Sequence, residues 1–313
     1  AGITTTRQLA SLKTLVKPGE TGPDGQTCDR LMLVPNPEHA ALCERLAATW
    51  PIGPRLDELI HRALRYEGWK TKQGNAISYI PNRGYGSMPY SDEEQNPNLV
   101  RLYLDAQHDY LNDRIYMLGA LVVGNENGKP HPQRRRSIVR LTDGPPDSDE
   151  RERELFLDWI TETLRAIVEV AAPNADGERK APIHLTFVNG FAQRVLLDGL
   201  ARHKDEILGA TALYDFVTQM AAFDSSIASY LETEIREHRN YPMVCQSLQS
   251  VAAYLRFDWN SPEPYRDVFR TRMFDFWGRF EAPPNGAEQI PGINGWFTSR
   301  ARFNSQIPLE YAY

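Results

Sequence analysis

The middle of the chain alternates between short apolar runs, typical of strands, and longer segments whose apolar positions follow a helical period. Three apolar runs in close succession predict consecutive strands at 99–106, 114–123 and 135–141. An acidic start followed by apolar residues at helical spacing predicts a helix over 149–171. A fourth strand is predicted at 182–188. This order of elements is typical of an α/β domain with a mixed sheet.

Helical periodicity also occurs on both sides of the predicted strands. The clearest case has apolar residues at i, i+3, i+4, i+7 and i+8, starting from Leu56. Another helix is expected to follow Asn189-Gly190 and to end near Leu208. These predicted helices lie at residues 39–50, 54–66, 190–208, 211–222 and 247–255.

The composition predicts three parts: a helical segment over 1–90, an α/β domain over 91–280, and an extended tail over 281–313. Within the first part, residues 18–37 are rich in Gly and Pro and are predicted to be loop. The start, Gly2–Ala10, predicts a short helix with a Thr N-cap. It resembles the second half of a helix-hairpin-helix unit, although a plain packing helix is the simpler interpretation.

The composition is that of a globular protein. Of its 313 residues, 41% are hydrophobic and 24% are charged. No apolar run approaches the roughly 20 residues that span a bilayer, and no leader pattern is present, so we expect a cytoplasmic protein without membrane contact. The chain opens on Ala1, and we interpret it as a piece of a longer protein. Three widely spaced cysteines are expected to be buried or idle thiols: Cys28, Cys43 and Cys245.

The formal net charge of −6 argues against a protein that coats nucleic acid through its overall field. Local basic patches are still present, and the densest one is Lys129–Arg136. It is interpreted as a solvated turn or as a set of phosphate contacts. Further cations that fit either interpretation are Arg266, Arg270, Arg272, Arg300 and Arg302.

The first two predicted strands are joined by an acidic cluster. They read Tyr103-Leu-Asp-Ala-Gln-His-Asp109 and then Asp113-Arg-Ile-Tyr-Met-Leu-Gly119. This pattern resembles the RNase H-like, four-acid exonuclease domain of RecB-like nuclease–helicase fusion proteins. In that family the first strand carries Asp-x-Glu-x-Asp and the second reads Ile-Tyr-x-Leu-Gly.

Later segments extend the resemblance over about half of the chain. His184–Gln193 resembles the second acidic motif of the family, and Ser247–Phe257 resembles its Ser-Leu-Lys helix, with Gln249 in the place of the lysine. Glu154–Trp159 resembles the helix that follows the third strand. The resemblance therefore implies an RNase H-like fold, a mixed sheet whose first three strands are consecutive, flanked by helices.

The family's chemistry implies four carboxylates around two Mg²⁺ or Mn²⁺ ions that activate water and stabilise the leaving oxygen. Asp105 matches the first acid, whereas Gln107 and Gln193 stand where the second and third acids belong. Asp267 is the candidate for the fourth. An amide oxygen brings no negative charge, so both replacements leave two dications under-neutralised. If metal binds, the expected ligands are Asp105, Asp109 and Asp267.

Other side chains are alternative candidates for the missing chemistry. Asp109 and Asp113 are interpreted as turn residues or as substitute ligands. His108 is either a general base or a solvated turn histidine. Asp215 is a helix cap or a ligand, and Asp275 is a second candidate for the fourth acid.

Three functions are compatible with these residues and with the resemblance. The first is a catalytically weakened nuclease-fold module that binds nucleic acid or docks neighbouring domains. The second is an active two-metal 3′–5′ exonuclease, and the third is a structural spacer. The expected partners are nucleic acid, DNA in preference to RNA, and the helicase and nuclease domains of the same parent chain. No phosphate-binding loop or nucleophile elbow favours another chemistry.

Overall fold

The computed structural model divides into two compact units. The described residues up to Gly86, together with those from Glu232 onward, form unit 1, and those from Ser87 to Leu231 form unit 2. The structure describes residues 2–73, 77–81, 83, 86–109, 112–143, 146–174, 177–178, 180–207, 227–243, 246 and 248–255.

Unit 1 combines helices with a small sheet that the sequence pattern does not predict. Strand β1 pairs antiparallel with β2, whose four residues lie inside the stretch predicted to be loop. The loop prediction was wrong over these four residues, because Leu33 and Val34 are buried there despite the surrounding Gly and Pro residues. The elements are α1 (Thr6–Ala10), β1 (Lys13–Val16), β2 (Met32–Pro35), α2 (Ala40–Ala47), α3 (Leu56–Lys70) and α7 (Leu248–Tyr254).

The core of unit 1 forms where α2 and α3 face β2. Leu46 of α2 and Ile60 of α3 lie in one cluster with Leu33, which confirms the apolar stripe predicted for α3. Two of the three cysteines are described, and Cys28 and Cys43 are buried free thiols as expected. Cys245 lies outside the described residues.

Residues 232–255 belong to unit 1, whereas the sequence pattern places them in the α/β domain. Hydrogen bonds explain the difference: Asn240 Nδ2 donates to the carbonyl oxygens of His61 and Ile77, both at 3.1 Å. The backbone N–H of Ile80 donates to the carbonyl of His238 at 3.0 Å. A short helix and a π-helix turn, Glu234–His238, begin this stretch. Such distant pairings leave no local signal in a sequence.

Unit 2 contains a five-stranded mixed sheet in the order β5-β4-β3-β6-β7. Strands β3, β4 and β5 are consecutive and antiparallel, and β6 and β7 run parallel to β3 and β6 respectively. The predicted order of three strands, a helix, a strand and a helix is confirmed, whereas the last strand of the sheet, at 228–230, was not predicted. The elements are β3 (Val100–Asp109), β4 (Arg114–Glu126), β5 (Lys129–Leu141), α4 (Asp149–Val170), β6 (Ile183–Phe187), α5 (Gly190–Arg202), α6 (Lys204–Ile207) and β7 (Ala228–Tyr230).

One face of this sheet packs against α4 and α5. Leu102 and Leu104 of β3 share a buried cluster with Phe156 and Trp159 of α4 and with Leu196 of α5. Successive side chains of a strand point to opposite faces. The residues between them, at 101, 103, 105 and 107, therefore lie on the other face of the sheet, where the candidate site begins.

The basic segment Lys129–Arg136 is part of strand β5 and not the solvated turn that was expected. Arg134 and Arg136 make ion pairs with Glu126 and Glu169, at 3.2 Å and 3.1 Å. The segment was misassigned because its arginines hide the period of two. None of the described helices is long and apolar enough to cross a membrane.

The turn between β4 and β5 depends on Gly128. Asn127 and Gly128 have φ of 51° and 76°, which is the geometry of a two-residue hairpin with left-handed central residues. A Cβ on Gly128 would also come within 2.2 Å of Asp92 Cα. We expect Gly128→Ala to lower the free energy of unfolding by about 2 kcal/mol, measured by urea denaturation.

Gly190→Ala is the matched control for the hairpin prediction. Gly190 has open space around its Cβ position, and its φ is not in the left-handed region. We expect its replacement to be neutral within about 0.5 kcal/mol. Equal losses in the two variants would contradict the role assigned to Gly128.

Candidate acidic site on the central strand

The candidate site lies on the central strand β3, on the sheet face opposite α4 and α5. Asp105 pairs with Gly119 of β4, which in turn pairs with Val139 of β5. Two residues further along, Gln107 pairs with Met117. Gly119 has no side chain, and Met117 and Val139 are apolar. Strands β4 and β5 therefore add no metal ligand beside Asp105 in these rows.

The Asp105 carboxylate is half-buried and has neutral partners. It accepts hydrogen bonds from the N–H of Ala106 at 2.9 Å and from Gln107 Nε2 at 3.3 Å. Burial raises the pKa of Asp105 above its usual value, and these two bonds offset only part of that effect. Asp105 and Gln107 are thus hydrogen-bonded neighbours, with the Gln107 amide N–H₂ as the donor.

Asp109 follows Asp105 by four residues, beyond a register shift between Gln107 and His108. Asp109 is fully buried and accepts a hydrogen bond from Asn112 Nδ2 at 3.0 Å. The structure therefore places Asp109 at the end of β3 next to the turn.

Asp113 and His108 pair with each other at the turn between β3 and β4. His108 Nε2 lies 3.0 Å from Asp113 Oδ1, and this hydrogen bond lowers the pKa of the exposed Asp113 carboxyl. Asp113 has a φ of 51°, which Asp tolerates in turns. Asp113 is therefore a turn residue, as one of its two interpretations expects, whereas His108 is the second-last residue of β3.

Gln193 is fully buried in the first turn of α5, and its side chain is already bonded. Asn189 caps this helix by accepting a hydrogen bond from the N–H of Ala192 at 3.0 Å. The Oε1 atom of Gln193 accepts a hydrogen bond from the hydroxyl of Tyr230 on β7. The atom that would coordinate a metal is therefore engaged with a neutral hydroxyl group.

The remaining candidate acids fall outside the described residues. These are Asp267, the candidate fourth acid and metal ligand, together with Asp215 and Asp275. The predicted helix over 211–222, the tail and the cations from Arg266 onward also fall there. Gln249 is on α7, which belongs to unit 1 and not to the unit that carries Asp105.

The described residues by themselves do not form a two-metal site. Within the described parts of the chain, no group of three His, Cys, Asp or Glu side chains is placed to hold a metal ion. The residue beside Asp105 is an amide, Gln107, where the family that the sequence resembles carries a carboxylate. The second amide, Gln193, accepts a hydrogen bond from Tyr230. Mg²⁺ and Mn²⁺ prefer charged oxygen ligands, and this arrangement supplies one.

The same sheet face also carries arginines. Arg101 of β3 pairs with Val123 of β4, which pairs with Arg135 of β5, so the two arginines lie in one row across three strands. Arg101 Nη1 donates to Asn125 Oδ1 at 3.1 Å, and Arg135 is exposed. Two guanidinium groups on this face oppose the entry of divalent cations and favour anions.

His184 is a buried polar residue on this face to which the sequence pattern gives no specific role. Its Nε2 lies 2.7 Å from Ser229 Oγ, and that hydroxyl donates to the carbonyl of Ser87 at 2.7 Å. Since the hydroxyl donates its one hydrogen to Ser87, Ser229 Oγ accepts from His184 Nε2–H. Burial, with a smaller contribution from Arg101, lowers the pKa of His184 to about 4.

The depressed pKa of His184 predicts acid sensitivity. An unfolded histidine titrates at 6.5 and the folded one at about 4, so the unfolded state binds the extra proton between these values. The free energy of unfolding should therefore fall as pH drops from 6.5 to 4, by a total on the order of 3 kcal/mol. Urea denaturation at stepped pH measures this loss. His184→Gln should show a smaller loss, and an identical slope in the two proteins would contradict the assignment.

Comparisons with protein-family models, with curated proteins and with solved structures gave no match to this chain. Its function is therefore argued from the residues and their geometry.

Proposed function

We propose that unit 2 is an RNase H-like module of a larger nuclease–helicase protein. In this proposal its acidic site has lost two-metal catalysis and the module binds nucleic acid, DNA in preference to RNA. The mixed sheet supports the fold assignment, since its first three strands are consecutive and helices flank it. The observation that carries the functional proposal is the pairing of Asp105 with a neutral amide at Gln107.

Electrostatics explains why this pairing opposes catalysis. Two dications bring four positive charges, and in related chemistry the surrounding carboxylates neutralise them. Here Asp105 is the one carboxylate at the matching described positions, and its raised pKa indicates a site that already disfavours charge. A water bound there would not be activated by a metal pair.

The arginine row supports nucleic-acid binding over a role as a plain spacer. Arg101 and Arg135 carry fixed positive charges on the same face as Asp105. Guanidinium groups suit phosphate oxygens because their donors match two acceptors at once.

Nuclease assays of the wild-type chain and of Gln107→Glu/Gln193→Glu test the proposal. The wild-type chain should leave fluorescent oligonucleotides intact with Mg²⁺ or Mn²⁺, and Mn²⁺ should not raise its melting temperature. The double variant should gain a Mn²⁺-dependent rise, because ligand bound to the folded state stabilises by about 2.7 kcal/mol at 100 times Kd.

Gln133→Glu is the matched control, since it adds a carboxylate at an exposed position on β5. It should show no Mn²⁺ response. Digestion by the wild-type chain that disappears in Asp105→Ala would contradict the proposal and favour the active 3′–5′ exonuclease. Absence of salt-dependent DNA binding by the wild-type chain would instead favour the spacer.

A further inference from the structure

A cavity of about 580 Å³ lies at the C-terminal end of α3 in unit 1. It combines an indole ring with cationic side chains, and none of its described lining residues is acidic. This composition differs from the mixed charges over most of the protein, whose net charge is −6. The lining residues are Arg65, Gly68, Trp69, Lys70, Lys72, Gln73 and Pro242.

A longer groove of about 1120 Å³ continues from this cavity, and the two share Gly68, Lys70 and Gln73. Cationic side chains line it, together with hydroxyl groups of Thr and Ser residues and two carboxylates, Glu20 and Glu67. Lys13 is paired with Asp57 at 2.7 Å, and Lys70 is 3.9 Å from Glu67. The cations of this groove are Arg7, Lys13, Lys17 and Lys70.

Trp69 presents its ring to solvent at the cavity. It is 55% exposed, although tryptophan side chains are highly buried on average. The Tyr66 ring lies 6.3 Å away, and Lys70 Nζ lies 5.6 Å from the Tyr66 ring centre. An exposed indole supported by a second ring and flanked by lysines is suited to stack a flat, electron-rich group.

Lys72 occupies a backbone position that usually belongs to glycine. Its φ is 58°, just beyond the helix end, where the N–H of Gln73 donates to the carbonyl of Gly68 at 2.8 Å. A lysine in this conformation costs about 1 kcal/mol relative to glycine. Lys72 therefore places a positive charge here at a cost in stability, and its residue lines the cavity.

Gly68 makes the cavity wall possible. A Cβ at this position would come within 2.6 Å of the carbonyl oxygen of Gln73, so only glycine lets the chain fold back onto α3 so closely. The turn that follows holds Lys72 and Gln73 beside Trp69 in the cavity wall.

We propose that this cavity and groove bind single-stranded nucleic acid, with one base stacked on Trp69 and the phosphate backbone along the cations and hydroxyl groups. Proteins that bind single strands combine a cationic groove with aromatic stacking platforms. Unit 1 shows both features in one continuous surface. The proposal rests on unit 1 residues alone and does not depend on the function proposed for unit 2.

The test is fluorescence anisotropy of the full chain with a labelled 12-mer of thymidylate across a salt series. Trp69→Ala should weaken binding at least about fivefold. Lys72→Gly should weaken it severalfold at low salt and reduce the slope of log K against log salt by about 0.7. The same Lys72→Gly variant should be at least as stable as the wild type, so its loss of affinity cannot come from unfolding.

Trp50→Ala and Arg45→Ala are the matched controls. Trp50 is 82% exposed and Arg45 is exposed, and both lie in unit 1 away from the lining residues. Both variants should bind as the wild type does. Unchanged affinity in Trp69→Ala and Lys72→Gly would overturn the proposal even if the chain binds DNA through unit 2. Stronger binding of a duplex or of anionic vesicles at this surface would overturn the assigned ligand class.

Discussion

Glu152→Ala is expected to lower the free energy of unfolding by about 3–5 kcal/mol, because it leaves buried positive charge and donors without an acceptor. The Glu152 side chain is fully buried, and its Oε1 accepts from the N–H of Ile115 at 2.7 Å and from Arg202 Nη2 at 2.6 Å. Its Oε2 accepts from Arg202 Nε at 3.0 Å and from His203 Nε2 at 2.9 Å.

The pKa of Glu152 shows that these bonds prevail over burial. Burial alone would raise it, but hydrogen bonds from Arg202, Ile115 and His203 lower it. The carboxylate therefore stabilises the fold at neutral pH, and this stabilisation is lost as pH falls through the folded pKa. Glu152 joins α4, the start of β4 and the end of α5, so its loss should affect the whole of unit 2.

Chemical denaturation of Glu152→Ala beside Glu162→Ala measures this effect. Glu162 is on the same helix and pairs with Arg140, but its side chain is 36% exposed. An exposed ion pair contributes at most about 1 kcal/mol. Similar losses in the two variants would show that the Glu152 cluster is no more than a surface network.

Glu58→Ala should produce the second large loss, about 3 kcal/mol, in unit 1. The Glu58 side chain is 4% exposed and accepts hydrogen bonds from Arg55, Arg62 and Arg83. Burial raises the pKa of Glu58, and the three arginines together lower it below its usual value. Since Arg55 and Arg83 reach solvent, we expect a loss at the lower end of the range for buried pairs.

Asp57→Ala is the control for Glu58→Ala, because the two acids are neighbours in the first turn of α3. Asp57 is 57% exposed and pairs with Lys13 at 2.7 Å. Its removal should cost at most about 1 kcal/mol, including its interaction with the helix N-terminus. A larger loss in Asp57→Ala than in Glu58→Ala, read from urea midpoints, would contradict the assignment.

The predictions that succeeded rest on local periodicity. Strands β3 and β4 and helix α4 were predicted within a few residues because their apolar positions repeat with the period of the element. The burial of alternate residues in β3 follows the same alternation. Asp105 and Gln107 lie on one face of β3 because residues two apart in a strand share a face.

The features that were missed depend on long-range contacts or on weak patterns. Strand β2 lies in a Gly- and Pro-rich stretch, and its pairing with β1 gives no local signal. Asn240 joins residues 232–255 to unit 1 through backbone carbonyls that are far away in the sequence. Buried charges such as Glu152 look like ordinary first-turn acids until the fold brings Arg202 and His203 to them.

The site shows the same division. The amide at Gln193 was identified from its motif, but its bond to Tyr230 requires β7 to lie beside α5. The link between His184 and Ser229 likewise depends on the parallel pairing of β6 with β7. Features that depend on residue identity and spacing could be predicted from the sequence. Contacts that depend on the order of the strands in the sheet could not.

A crystal of the chain soaked in Mn²⁺ and measured for anomalous scattering decides whether the Asp105 site has lost its metals. We expect no anomalous peak within coordination distance of the Asp105 carboxylate, because Gln107 and Gln193 supply no charge. Two well-occupied peaks about 3.5–4 Å apart beside Asp105 would contradict the loss of two-metal catalysis.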